Sequence, residues 1–317
     1  MLSTPLERLF LAPDSLRPIT HRADWERLFA EVPLPHFTQA WSYGEGKRAA
    51  GWKPERLAIE SSRGPYAICQ LLVRRIVGIP VATRINRGPL FLQRAAGNAR
   101  RIAALRALAQ HWRYGRRGLV FAAPDLPATE DSDAIMRAAG FFRRRAGGWA
   151  SALVDLQPPL EAIRSGLSSK WRNQLNVSMK SGLEVRIGPM QWMLDRHAEN
   201  MADKQFDGPS VRFVRAMIAS SPDDFLVLQA LLDGQPCAGL MLARFGAHAE
   251  YYLGWYGASS RKANAGNYLL WQAIIAAKAA GCRALDLGGY TGAETYGRFK
   301  RGLKGREYHL AGEWVSL

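Results

Sequence analysis

Cysteine is scarce in this chain: three residues, Cys69, Cys237 and Cys282, among 317. Each lies in an apolar, strand-like stretch, and none has metal-ligand spacing. Three thiols so placed give no disulfide framework, so they are expected to be packing residues. The six histidines form no HExxH or paired pattern, and no metal is expected. No apolar run approaches the ~20 residues needed to span a bilayer. The opening MLSTPLERLFLAPDSL has no basic stretch ahead of an apolar one, which predicts a cytoplasmic protein without a secretory signal. A Ser-His-Asp order, a nucleophile elbow and a Walker loop are missing too, which argues against a covalent serine intermediate and nucleotide hydrolysis.

Acidic residues are also few. Lys and Arg number 43 against 27 Asp and Glu, a formal charge of +16. The excess is clustered, at Arg100/Arg101/Arg106/Arg113/Arg116/Arg117, at Arg143-Arg144-Arg145, and at Arg298/Lys300/Arg301/Lys304/Arg306. Such a field attracts polyanions: RNA, nucleotide phosphates or an anionic membrane surface. An arginine-rich composition shared by a whole proteome would give the same excess without a partner.

What is present is an order of elements that occurs twice. Residues 55–61, 66–77 and 80–86 read as strands, 98–114 as a helix stopped by Gly118, 119–121 as a strand, 134–139 as a short helix and 149–156 as a strand. Residues 225–233, 236–245, 248–256, 267–280 and 284–287 repeat the three strands, helix and strand. The offset is 170 residues between GPYAICQLLVRR (64–75) and GQPCAGLMLARF (234–245), and similar between the helix stops. A duplicated α+β unit is expected, with domains at 1–155 and 156–317 and a mostly helical segment at 158–223. Within that segment Ser168 or Ser169 caps a helix running to Ser181, with Gly182 as its stop. Trp171, Leu175 and Met179 form its apolar stripe, and Arg172, Asn176 and Lys180 a polar one beside it.

The last fifty residues carry the chemistry. GNYLLWQAIIAAKAAGCRALDLGGYTGAETYGRFKRGL (266–303) reads as a helix, a buried strand, a glycine loop and a short basic helix. Strand–helix–strand units ending in such a loop hold ligands. The conspicuous groups are cations, tyrosines and glycines, which suit grip on phosphates and stabilisation of an oxyanion. A coenzyme A pyrophosphate loop has the form [QR]xxGx[GA] between strand and helix. Residues 94–99 satisfy it in the first half. In the second half Arg261–Gly266 carries Asn264 where the first glycine belongs.

Four segments together carry a resemblance: FTQAWSYGEGK (37–47), RGPLFL (87–92), KWRNQLNVSMKSGLEV (170–185) and the 266–303 stretch. In order and spacing they resemble the FemABX family, the tandem GNAT-like aminoacyltransferases that build peptidoglycan cross-bridges, with their FemAB-like acetyltransferase relatives. The resemblance implies two GNAT-like domains, each a mixed, mostly antiparallel sheet flanked by helices. It implies transfer of an amino acid from aminoacyl-tRNA, as co-substrate, to an amine of a phosphate-bearing peptidoglycan precursor, in a cleft between the domains. By that likeness Lys47 and Arg172 contact the precursor's diphosphate, Lys300 stabilises the tetrahedral oxyanion and Phe299 shapes its pocket. Tyr252 and Tyr256, with Gly289 and Tyr290 in the glycine loop, line the substrate site. Asp125 is a weaker candidate for holding an amine or hydroxyl. The helical arm that some members use toward tRNA has no counterpart here. Two other readings stay open: an acyl-CoA N-acyltransferase using acetyl-CoA on a small amine or sugar nucleotide, and a non-catalytic protein that binds RNA or makes peripheral contact with a membrane.

Overall fold

Two-residue turns set the register of both sheets. Asp233 and Gly234 have φ of 51° and 73°, and Val77 and Gly78 have 47° and 78°. Paired positive φ values are those of the tight hairpin turn whose twist matches its strands. The computed structural model describes residues 15–92, 97–115, 118–289 and 294–316. In chain order its elements are β1 (Ser15–Pro18), α1 (Arg22–Glu31), α2 (Trp41–Ala49), β2 (Lys53–Ser61), β3 (Gly64–Ile76), β4 (Ile79–Asn86), β5 (Leu90–Phe91), α3 (Asn98–Gly115), β6 (Leu119–Ala123), α4 (Glu130–Ala138), β7 (Phe142–Arg145), β8 (Ala150–Asp155), α5 (Leu160–Gly166), α6 (Ser169–Ser178), β9 (Glu184–Ile187), α7 (Met190–Lys204), α8 (Val211–Ser220), β10 (Phe225–Leu232), β11 (Gln235–Phe245), β12 (His248–Tyr256), α9 (Ala258–Lys262), α10 (Ala265–Ala279), β13 (Ala284–Asp286), α11 (Glu294–Arg301), β14 (Arg306–His309) and β15 (Glu313–Ser316).

The chain is α+β and forms two compact units. The first sheet runs β1-β2-β3-β4-β6-β15-β7, with β5 beside β3. The second, from its other edge, runs β9-β10-β11-β12-β13-β8-β14. The two orders match strand for strand. In each, the pair before the crossover helix and the strand after it are parallel (β4 with β6, β12 with β13), and the other pairings in the two orders that are described are antiparallel. The sixth strand of each sheet comes from the other half of the sequence: β15 lies between β6 and β7, and β8 lies next to β13. The units are therefore residues 1–149 with 309–317, and 150–308. A cut at 155 places β8 with the first domain and β15 with the second. Strand exchange produces the difference, and local pattern does not reveal which sheet a strand joins.

Each unit has its own core. In the first, Leu57, Ile59, Leu71, Ile85, Leu105, Leu108 and Trp314 pack together. In the second, Leu240, Leu242, Leu269, Leu270, Ile274 and Leu285 do so. The three cysteines are buried. The 158–223 segment is less uniformly helical than its sequence suggests, because Glu184–Ile187 pairs with β10 as an edge strand. Four residues at an edge carry too short a period to stand out. The α6 helix has Ser168 as its cap, the Ser168 hydroxyl accepting from Trp171 N at 3.3 Å, and ends at Ser178, before the Gly182 stop. Trp171 and Leu175 are buried as the stripe requires, whereas Met179, past the helix end, is exposed.

Candidate functional site

In the second unit the chain turns sharply after β13, and the chemistry gathers there. The β13 pairing to β12 ends at Glu250↔Asp286, while β12 runs on to Tyr256 against β11. In sheets of this kind ligands bind beyond the carboxyl ends of the parallel strands. Gly288 has φ of 67°, and a Cβ there would lie 2.6 Å from Tyr251 O. Only glycine meets both demands. The turn is anchored from beneath by Asp286. Its carboxylate accepts from Gly288 N at 2.9 Å and from the hydroxyls of Ser151 and Tyr308, each at 2.5 Å.

Lys300 reaches this turn from α11. Its side chain is 1% exposed, and its ammonium donates to Gly288 O (3.0 Å) and Gly289 O (3.1 Å) over the Tyr251 ring. Burial pushes its pKa down to about 8, against the pull of Asp286 and Glu250. At neutral pH it is still mostly a cation, held where the dielectric is low. Nearby His248 is pushed down to about 4 by burial and by Arg283, and is a neutral imidazole.

Beside Lys300 in sequence, Phe299 forms part of the wall of a cavity of about 740 Å³. Its ring lies 6.1 Å from that of Trp171. Glycines make room: a Cβ on Gly302 would lie 2.5 Å from the Trp171 ring, and one on Gly266 would touch Tyr256 and Phe299. The first turns of two helices open onto this space, through Ser168, Lys170 and Trp171 of α6 and Asn264, Gly266 and Asn267 of α10. Helix N-termini carry partial positive charge and free N–H groups. Four cations add to it: Lys170, Lys204, Arg261 and Arg298. Two buried donors of wall residues, Asn267 Nδ2 and Trp171 Nε1, have no hydrogen-bond partner. The arrangement suits a large ligand carrying negative charge.

The remaining sequence candidates are distributed as follows. Tyr256 lines the cavity, its hydroxyl 2.9 Å from that of Tyr251. Tyr252 is half-buried on β12. Gly289 supplies a carbonyl to Lys300, and Tyr290 lies outside the described residues, as do Arg94, Ala95 and Ala96 of the first-half loop. Arg172 does not line the cavity; it donates to Ser165 O and Leu167 O across the connection between α5 and α6. In the first unit Lys47 is in the last turn of α2, 5.4 Å from the Tyr43 ring, its pKa lowered by burial and by Arg84. Asp125 follows β6 and accepts from Arg87 Nη1 at 2.9 Å. The 37–47 segment owes much of its composition to structure. Gln39 and Gln70 exchange amide bonds with Gln70, Asn86, Thr38 and Ala40 backbone, Arg56 lies 3.5 Å over Trp41 and pairs with Glu45, and a Cβ on Gly44 would overlap Gln70. This clasp fixes α2, and with it Lys47, to the sheet. Ser151, Tyr308 and Glu250 come to the site from three strands and carry no motif that marks them in sequence. Among the described residues no group of three His, Cys, Asp or Glu could hold a metal.

Comparison with known proteins fits this geometry. Residues 183–301 match the family model described as an acetyltransferase (GNAT) domain. The crystal structure of FemX superposes with a TM-score of 0.80 at 13% identity, covering 96% of this chain and 97% of that one. The chain has the fold of FemX, with a GNAT domain in its second unit. A tandem GNAT protein from the clavulanic acid biosynthesis pathway matches with a TM-score of 0.55 at 14% identity, over 96% of this chain and 98% of that one. The C-terminal domain of a putative lysylphosphatidylglycerol synthetase from Agrobacterium fabrum matches at 0.54 and 15%, over 92% and 91%. No curated protein matches the sequence.

Proposed function

We propose that this GNAT-fold N-acyltransferase moves an aminoacyl group from aminoacyl-tRNA to an amine on a phosphate-bearing envelope precursor. The observation that carries the reading is the buried Lys300 ammonium at the Gly288–Gly289 turn, one residue along α11 from Phe299, which lines a cavity with two helix N-termini and four cations. The cavity suits the charged end of a nucleic acid donor. An ester carbonyl brought to the glycine turn lies in the field of Lys300, which favours negative charge on its oxygen. A neutral acceptor amine attacks the carbonyl carbon, and the new C–N bond gives a tetrahedral oxyanion. The C–O bond to the ribose then breaks, and the proton lost by the nitrogen ends on the departing hydroxyl. No net proton is released, so the step needs transfer and not a permanent base.

Two further points support an aminoacyl donor over acetyl-CoA. At the cap of α10, Asn264 keeps a left-handed backbone (φ 51°) but puts a side chain where the pyrophosphate loop has glycine. The C-terminal domain of a putative lysylphosphatidylglycerol synthetase, similar in fold, carries a name that joins an amino acid to a phospholipid. The acyl-CoA reading keeps two observations in its favour: the acetyltransferase family model, and the tandem GNAT protein of similar fold, whose structure is described as being without AcCoA. Titration with acetyl-CoA and with a short aminoacylated acceptor-stem RNA, at near-physiological salt to damp nonspecific attraction, separates them. Saturable RNA binding that needs the aminoacyl group supports the proposal. Tight coenzyme binding without aminoacyl dependence overturns it.

A further inference from the structure

At one end of the first sheet a hairpin outruns its neighbours. Val73 is the last β3 residue opposite β2, facing Lys53, and Ala82 is the first β4 residue opposite β6, facing Leu119. Beyond them residues 75–81 pair only with each other among the described ladders, ending at Ile76↔Ile79. At about 3.3 Å per residue the tip projects roughly 10 Å. It is apolar and open to solvent: Val77 is 95% exposed, Ile79 61% and Ile76 60%. Val81 and Leu119, at its base, are partly exposed as well.

The turn itself is unusual. Val77 and Gly78 both have positive φ, and the first position of such a turn favours Asn, Asp or Gly. The matching turn in the second unit uses Asp233. A β-branched residue in this conformation is strained. Val77 is also almost wholly solvated, so no contact within the unit offsets the strain.

Behind the apolar tip comes a ring of different chemistry. Arg74 lies 5.9 Å from the Trp52 ring and donates to Ala50 O and Gly51 O, carbonyls that leave its charge uncancelled. Arg75 donates to Gly78 O, and Arg75 and Lys53 share one carboxylate, Glu55, at 3.5 and 3.8 Å. Branched aliphatics first, then tryptophan and excess cations, is the order of environments met on entering a bilayer surface: acyl boundary, headgroup level, anionic phosphates.

We propose that the β3–β4 hairpin tip is a membrane-docking wedge that inserts Ile76, Val77 and Ile79 into the surface of a bilayer containing anionic phospholipid. A projecting tip has the shape for a deformable surface, and its cationic ring complements acidic headgroups. This inference does not depend on the acyl-transfer reading.

Co-sedimentation of the full chain with phosphatidylcholine vesicles, with and without phosphatidylglycerol, tests it. The wild type sediments with phosphatidylglycerol vesicles. Replacing Ile76, Val77 and Ile79 by Ser lowers partitioning by roughly tenfold or more, as expected for withdrawing three branched side chains from the acyl boundary. Val77→Asn is the sharper variant: it suits the turn, so the melting midpoint stays or rises while partitioning falls. Equal sedimentation of wild type and both variants overturns the proposal and assigns binding to overall charge. Absence of vesicle binding, or concentration-dependent self-association that the Ser variant abolishes without vesicles, also overturns it, the latter in favour of a second copy as occupant.

Discussion

In the proposed reaction Lys300 is the residue on which the chemistry turns. A buried ammonium costs folding energy, and here two glycine carbonyls and the Asp286 and Glu250 carboxylates offset only part of that cost. Lys300→Met is expected to lower kcat by about a hundredfold or more, the scale of removing one oxyanion-stabilising group, with a much smaller change in donor affinity. Steady-state kinetics separates the two. The pH profile follows from the lowered pKa: transfer declines as pH rises through about 8 and the cation is lost. Stability moves the opposite way. The unfolded chain keeps this proton to higher pH than the folded one, so folding gains from about 8 up to the ordinary lysine range near 10.5. Thermal melts should therefore show wild type gaining stability relative to Lys300→Met over that interval. Asn267→Ala should weaken donor binding while leaving the melting midpoint nearly unchanged, since its Nδ2 has no internal partner to lose.

Elements position these residues, and their placing was partly legible in sequence. The Ser168 cap, the helix before β13 and the glycine turn follow from local rules of capping, periodicity and backbone freedom, whereas the Phe299-Lys300 pair is singled out by the family resemblance. Lys170 and Lys204 did not stand out, because a cation on a helix looks the same whether it faces solvent or a cavity. Arg172 reads as a ligand contact by resemblance, and the structure engages it with the carbonyls of Ser165 and Leu167. The Asp286 network was hidden for another reason: Ser151 and Tyr308 lie 135 and 22 residues from it, and only the strand exchange brings Ser151 near. Close packing at the wall is testable at this scale. Gly302→Ala drives a Cβ to 2.5 Å from Trp171, and overpacking of this kind costs about 1–3 kcal/mol. A lower denaturation midpoint and weaker donor binding should appear together, because Trp171 lines the cavity.

At the scale of the molecule, the repeated element order predicted two similar units, and the matching strand orders agree with it. What sequence could not give was the exchange of β8 and β15, since a strand's alternation names its faces and not its neighbours. The exchange makes the last residues part of the first unit. Deleting residues 309–317 should open the first sheet between β6 and β7 and remove Trp314 from its core, which hydrogen exchange would register as lost protection in β6 and β7. The positive charge reads at this scale too. Part of it lines the cavity of one unit, and part lies at the base of the β3–β4 hairpin in the other.

The most direct test of the central claim is single-turnover transfer from an aminoacylated acceptor-stem RNA, labelled in the amino acid, to a phosphate-bearing peptidoglycan precursor. The account predicts label appearing in an amide on the acceptor with wild-type protein, and a rate lowered by about a hundredfold or more in Lys300→Met at saturating RNA. Undiminished transfer by Lys300→Met would contradict it, as would transfer from acetyl-CoA in place of the aminoacyl RNA.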